Sequence, residues 1–405
     1  MKLYKKHISD LGKVITGKTP RTSILENYGG KIPFLTPSDN LSEKFSPTTS
    51  KTLTKIGLNE VKNCLLPSKS ICVSCIGSDL GKVVLTKKPT VTNQQFNSIV
   101  PNEENDADFI YYLMTVVGKH LNYLSKTSTA VPIINKSTFA NYEIEIPNIK
   151  EQKRIGKILS SLDDKIELNR RINDNLEQQA QALFKSWFVD FEPFKDGKFV
   201  ESELGRIPEG WRVERLGSVC KCLLGGTPSR NKGEYWNGKI AWINSGEINE
   251  FRITKPSEYI TQEGLKKSAT KLLPKKTTVL AITGATLGQV SLLEINSCAN
   301  QSVIGVLENE DIFHEYIYPL IKNRIDDLCS HMTGGAQQHI NKNNVEQLEI
   351  LVPPQKILVE YKQIATPIYS LISNICFESQ KISKLRDSLL PRLMSGELNL
   401  DKTNN

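Results

Sequence analysis

Short apolar runs broken by glycine and proline alternate along this chain with long stretches of helical periodicity. ICVSCIG (71–77) and VVLT (83–86) read as strands, as do TVLAITG (278–284) and QVSLL (289–293). One helix is predicted near 107–124 and another near 312–330. Longer helical patterns follow each block. In the first, Leu162, Ile166, Leu176, Ala180, Leu183 and Trp187 fall at a/d spacing, with Asn169 and Asn173 on the same seam. In the second, Ile364, Ile368, Leu371, Ile375, Ile382, Leu385 and Leu389 do the same, with Glu378 among them. Pro367 is predicted to kink or restart that helix, because it lacks the N–H and crowds the preceding turn.

The pattern occurs twice. Thr19-Pro20 returns as Thr227-Pro228, YGGKIPF (28–34) as WNGKIAW (236–242), and LLPSKS (65–70) as LLPKKT (272–277). Asn93-Gln94 returns as Asn300-Gln301, and Ile134-Asn135-Lys136 as Ile340-Asn341-Lys342. The offset stays between 205 and 208, so the chain is two copies of one unit. The predicted class is α+β: two similar mixed α/β domains at 1–150 and 196–354, helical regions at 151–195 and 355–398, and a tail at 399–405. A seam that narrow needs a partner: one such helix alone would pack on a globular core, whereas two of similar length in the same place in each repeat pair with one another. Two such helices in a head-to-tail repeat pack as an antiparallel coiled coil with an internal pseudo-two-fold, which matches the symmetry of duplex DNA. The 26 residues from Leu162 to Trp187 span roughly 39 Å, about one turn of the duplex.

Composition is that of ordinary globular protein, 39% apolar and 24% charged. The charged N-terminus has no secretory h-region, no apolar stretch reaches membrane-spanning length, and the eight cysteines read as reduced thiols. The expected location is cytoplasmic, without membrane contact. Net charge is +8, of which residues 1–150, with 19 Lys+Arg against 12 Asp+Glu, hold +7. A basic end fits nucleic acid, although a solvated lysine-rich face looks the same.

Catalytic motifs fail one by one. Gly12–Thr19 fits the P-loop expression, but the repeat replaces Lys18 with Gly226 and no helix is predicted to follow. Cys72 and Cys75 form a CxxC and Cys220 with Cys222 a CxC, yet the first pair becomes Val279 and Ile282 in the second copy, as packed strand residues would. No metal site is expected. Val352-Pro353-Pro354-Gln355 lacks the flanks of a base-methyltransferase loop.

The segment LFKSWFVDFEPF (183–194) followed by GKFVESELGRIPEGWRVERLG (197–217) resembles the joint in specificity subunits of type I restriction-modification systems. KLRDSLLPRLMSGEL (384–398) resembles the close of that family's second helical region, and GKTP (17–20) and GGTPSR (225–230) resemble the openings of its target recognition domains. The chain departs from the pattern at Lys18, more often Gly, and lacks in copy two the pair found at Glu151-Gln152. The resemblance implies a non-catalytic subunit that binds double-stranded DNA, with each recognition domain reading half of a split target and the paired helices setting the gap. Two modification (methyltransferase) subunits would dock along the helices, and restriction subunits would join them. S-adenosylmethionine and ATP would bind those partners, so no cofactor is expected here. On residues alone, two other readings stay open: a nucleotide hydrolase using Gly12–Thr19, and a structural adaptor that binds no DNA.

Candidate contacts follow from side-chain chemistry. Thr19, Arg21, Thr227, Ser229 and Arg230 lie in polar turns with donors suited to phosphates, or are simply turn formers and solvated arginines. Asn93, Gln94, Asn300 and Gln301 carry amides able to pair with adenine, or to close buried turns. The loops TSTAVP (127–132) and TGGAQQH (333–339) differ between the copies, which makes Gln337, Gln338 and His339 candidate base readers. Ile155, Ile158, Leu159, Phe184 and Phe188 extend beyond the seam and are the expected docking surface for the modification subunits.

Overall fold

The computed structural model describes residues 1–45, 48–125, 133–330 and 339–398. The chain divides into two compact units, Met1–Glu167 with Lys381–Asn405, and Leu168–Gln380. Both are mixed α/β, and the same sheets are built in each.

In the first unit, strands Gly12–Thr16, Phe96–Pro101, Ile71–Ser74 and Val83–Leu85 form an antiparallel sheet in that order. A second sheet runs Lys51–Leu53, Tyr28–Leu35, Thr90–Thr92, Leu65–Leu66, with one parallel pair between Tyr28–Leu35 and Thr90–Thr92. Tyr4–His7 pairs with Glu143–Ile146. Helix Ala107–Ser125 packs its Phe109, Ile110, Leu113, Met114 and Val117 into the core formed with Ile71, Val73, Val83 and Ile99.

The second unit repeats this order with Lys221–Leu224, Val303–Leu307, Thr278–Ala281 and Val290–Leu292. Its other four-stranded sheet runs Glu258–Ile260, Trp236–Ile243, Ser297–Ala299, Leu272–Leu273. Arg212–Arg215 pairs with Glu349–Val352. Among the described strands it adds the hairpin Phe199–Ser202 with Gly205–Pro208. The helix predicted near 312–330 is two, His314–Asn323 and Ile325–Ser330, with Pro319 inside the first.

Two 40-residue helices, Ile149–Phe188 and Gln355–Met394, contribute to both units. Asn148 starts the first by accepting the Glu151 amide at 3.1 Å, and a left-handed Phe191 (φ 54°) turns the chain away after its end. Pro354 precedes the second, where its missing N–H costs nothing. Within the first unit, Ile155 and Leu159 share a core with Leu390, Leu393 and Met394, and Asp163 binds Arg386 at 2.6 Å. Within the second, Asn169 donates to Glu378 at 2.7 Å and Asn173 to the Cys376 sulfur at 3.3 Å. Partner numbers fall as the first helix advances, so the helices run antiparallel.

Two helical expectations need correction. The second long helix passes through Pro367 without restarting. Its buried line is Leu358, Tyr361, Ala365, Tyr369, Ile372 and Ile375, whereas Ile364, Leu371 and Leu385 of the predicted seam are 48%, 45% and 50% exposed. Heptad counting assumes one partner helix, but this helix also packs on a domain core, which draws its tyrosines inward. Among the described residues no helix is long and apolar enough to cross a membrane.

Each unit ties its domain to the helices with buried charge. Lys44 reaches Asp108 at 2.5 Å and Ser160 at 2.8 Å, and Tyr112 donates to Asp163 at 2.5 Å. In the second unit Arg252, its side chain wholly buried, binds Glu177 at 2.8 Å, and Lys322 joins at 2.9 Å. Burial alone would raise the Glu177 carboxyl, but the two cations outweigh it and hold it at about 2. The native state therefore binds fewer protons than the unfolded chain between about pH 2 and 4.5, and the pair's stabilisation is complete only above that range. We predict that Arg252→Met costs roughly 3 kcal/mol at pH 7 in a denaturant titration. The difference between wild type and Glu177→Gln should shrink between pH 5 and pH 3. A difference that does not change with pH would contradict this account.

Candidate nucleic-acid interface

The two short motifs most plainly shared by the copies meet in space, for a backbone reason. In the first domain the loop after strand Gly12–Thr16 lies on the turn at Asn93-Gln94, with the Lys18 amide donating to the Thr92 carbonyl at 2.9 Å. A Cβ on Gly17 would stand 2.1 Å from the Asn93 carbonyl oxygen, so only glycine allows this approach. In the second domain a Cβ on Gly225 would stand 2.1 Å from the Asn300 oxygen. The clamp lets the Thr19 hydroxyl donate to the Gln94 side-chain oxygen at 2.6 Å, and Thr227 to Gln301 at 2.5 Å. Both glutamines are exposed. Each is held by its oxygen, with its NH2 donors left for a ligand.

Asn93 and Asn300 do not share this role. Asn93 accepts the Gln95 amide at 3.1 Å and donates to the Gln95 side chain at 2.9 Å; Asn300 accepts the Ser302 amide at 3.1 Å. They close turns, the other of the two roles their chemistry allowed.

The arginines are exposed but not free. Arg21 binds Glu60 through Nε at 3.0 Å and a terminal nitrogen at 2.7 Å, and these hydrogen bonds pull the Glu60 carboxyl down to about 2. Arg230 binds Glu258 at 2.5 and 3.0 Å while lying 3.7 Å over the Trp236 ring. Ser229 is exposed, and its carbonyl accepts the Trp236 indole N–H at 3.1 Å; Tyr28, at the equivalent position, donates to the Pro20 carbonyl at 2.8 Å. Tyr28, Trp236, Glu60 and Glu258 escaped the sequence reading. The aromatic first residue of the repeated YGGKIPF and WNGKIAW was the available signal.

The residues that follow the divergent loops are anchored at the same rim. The Ile134 amide donates to the Cys75 carbonyl at 2.9 Å, and the Cys75 amide to the Gln95 carbonyl at 2.8 Å. The second domain repeats this through Ile340, Ile282 and Ser302, at 3.1 and 2.9 Å. Ile340, next to the exposed His339, is thereby tied through Ile282 to Ser302, the residue after the Asn300-Gln301 turn. Gln337, Gln338 and the loop 127–132 lie outside the described residues. In the first domain Lys18 and Lys136 both act on the Cys64 thiol, which burial pushes up against their pull. Those lysines place some of the N-terminal basic excess at this rim.

Two motifs already set aside on the repeat are ordinary structure, and one expectation is overturned. Gly12–Thr16 is a strand in a sheet, and the chain after it enters the Thr19 turn with no α-helix to receive a phosphate, so Gly12–Thr19 is not a P-loop. Cys72, in a strand, and Cys75, just after it, are buried, with burial pushing their thiols up to about 12 and about 11. The proposed docking residues are also taken. Ile155 and Leu159 are buried in the first unit's core with Ile158 packed against it, and Phe184 and Phe188 are buried in the second's. The domains themselves cover the face that looked surplus to a helix pair.

The type I restriction modification DNA specificity domain model matches residues 2–178 and 208–387. The chain belongs to that family. It is 31% identical to the type I restriction enzyme MjaIX specificity subunit of Methanocaldococcus jannaschii, over 98% of this chain and 94% of that one. It is 25% identical to the HindI specificity subunit of Haemophilus influenzae, over 80% and 83% of the two chains. Its fold matches the crystal structure of the type I system S subunit from M. genitalium with a TM-score of 0.61, at 16% identity, covering 97% and 96%. As a type I specificity subunit the chain serves DNA sequence recognition. That membership speaks against both the hydrolase and the adaptor readings.

The Arg21–Glu60 pair gives a direct test of the rim. Removing the carboxylate with Glu60→Gln frees a guanidinium for phosphate. DNA affinity should rise severalfold at low salt, with a steeper salt dependence in a gel-shift titration. Unchanged affinity and slope would place Arg21 away from the duplex.

Proposed function

We propose that this chain reads a bipartite DNA target, one half-site per domain, and scaffolds the subunits that modify it. The observation that carries the reading is that one chain builds the same rim twice: a glycine-clamped Thr-Gln pair, a tethered arginine and the root of a divergent loop. A scaffold that keeps its geometry while changing its loops suits two readers with different targets. In this reading Gln94, Gln301 and His339 contact bases or phosphates, with Thr19 and Thr227 orienting the glutamines. Arg21, Ser229 and Arg230 serve the backbone, and Gln337 and Gln338 remain candidate readers. Asn93 and Asn300 shape the turns that present these groups.

In this reading the chain carries no catalysis and works in the cytoplasm. Two methyltransferase subunits dock along the helices, bringing S-adenosylmethionine, and restriction subunits bring ATP hydrolysis. The exposed apolar Ile364 and Leu371, one heptad apart, replace the buried residues as the docking candidates.

The primary test exchanges residues 1–150 for the corresponding domain of a relative. Methylome sequencing should then show one half of the target changed, with the other half and the gap retained. Both halves changing together would refute the two-reader reading.

The helices as spacer are tested by inserting seven residues after Asn173 and seven after Ile375, which lie on facing stretches. A heptad in each helix preserves the seam and adds roughly 10 Å. The gap should grow by about three base pairs at ~3.4 Å each. Retained activity with an unchanged gap would show that the helix pair does not set the spacing.

A further inference from the structure

The internal repeat exposes a charge that one copy balances and the other does not. Asp108 and Glu315 occupy equivalent positions at the starts of helices Ala107–Ser125 and His314–Asn323, and each unit sets a long-helix hydroxyl nearby, Ser160 or Thr366. Asp108 meets Lys44 at 2.5 Å and Lys69 at 3.8 Å. Glu315 is 1% exposed. One of its oxygens accepts the Thr366 hydroxyl at 2.6 Å, and the other has no hydrogen-bond partner.

Both cations that would answer it by repeat position are committed elsewhere. Arg252, the counterpart of Lys44, binds Glu177 at 2.8 Å, and Lys276, the counterpart of Lys69, binds Glu294 at 2.7 Å. What faces the unpartnered oxygen is the His314 Nδ1, 3.3 Å away, itself 2.7 Å from Glu308. The Tyr369 ring stands edge-on to the imidazole at 5.7 Å, and Lys362 lies 3.5 Å over the Phe313 ring with its charge reaching Glu308. A buried carboxylate without a cation is costly.

We propose that Glu308, His314 and Glu315 bind one divalent transition-metal ion, with zinc the best match to the donor set. Their three ligand atoms lie within 4.8 Å of one another. An imidazole nitrogen and two carboxylate oxygens are zinc donors at about 2.0–2.2 Å. Donor separations of 2.7 and 3.3 Å subtend roughly 85–110° at an ion held ~2.0 Å from each, within the range of four- to six-coordinate geometry. Two carboxylates and a neutral imidazole carry two negative charges, which the ion cancels. The site opens at Glu308, whose side chain is 36% exposed, so the ion has an entry path and water completes its shell. Thr366 ties Glu315 to the second long helix. A bound ion therefore braces the second recognition domain on that helix, where the first domain uses Lys44.

The test titrates chelator-treated full-length chain with Zn2+ by calorimetry and with Co2+ by visible absorption. One equivalent should bind with micromolar or tighter Kd, raise the Tm by several degrees and give Co2+ d–d bands. His314→Ala and Glu315→Gln should abolish these changes. His120→Ala, on the first unit's helix, should leave them intact. Should Glu315→Gln fail to fold, Glu308→Gln at the exposed edge of the site is read instead, with at least tenfold weaker binding expected. The proposal is overturned if no stoichiometric ion binds, or if binding survives both His314→Ala and Glu308→Gln. It is equally overturned if lowering the pH through the histidine range gives the full Tm gain and metal adds nothing, since the missing cation is then a proton on His314.

Discussion

Each end of the two long helices is part of a domain core, and the rest of the structure depends on that burial. Phe184 and Phe188 pack against Tyr316 and Tyr361 in the second unit, with ring centroids 4.7 to 5.6 Å apart. Leu390 and Leu393 pack with Ile155 and Leu159 in the first. Apolar contact of this kind has no preferred direction. Orientation comes from the buried polar links among the same elements: Tyr112 to Asp163 to Arg386 in one unit, Arg252 to Glu177 to Lys322 in the other. Breaking such a link strands a charge in the interior, so each domain holds a defined pose on its helix segments. A reader of DNA needs that pose, because base contacts are made over a few ångströms.

The two copies show how a scaffold diverges without losing its geometry. Backbone constraints are kept: Gly17 and Gly225 approach the equivalent carbonyls of Asn93 and Asn300, and Lys69 and Lys276 both occupy left-handed turns, with φ of 62° and 69°. Side-chain chemistry is exchanged around them. An arginine is tethered by Glu60 on a helix in one domain and by Glu258 on a strand in the other. A lysine that neutralises Asp108 becomes an arginine that neutralises Glu177, and the carboxylate left behind acquires His314 and Glu308. Backbone approach tolerates no substitution, whereas a charge can be balanced from several directions.

Much of this was legible in the residues themselves. The duplication, the strands at 71–74 and 278–281, the paired helices and the recurrence of the GxTP and Asn-Gln motifs all follow from local pattern. Such features rest on residues near in sequence or on a motif repeated at a constant offset. Tertiary structure alone decided which neighbour covers which face. Heptad spacing marks Ile364 and Leu371 as seam residues, yet Tyr361 and Tyr369 are buried in their place. The apolar surplus at Ile155 and Phe184 has the pattern of a partner surface, but the domain cores fill it. Likewise, nothing near Arg21 announces Glu60, 39 residues on, or near Glu315 announces Thr366. Periodicity reports that a residue wants cover; which partner supplies it depends on contacts between segments far apart in the chain.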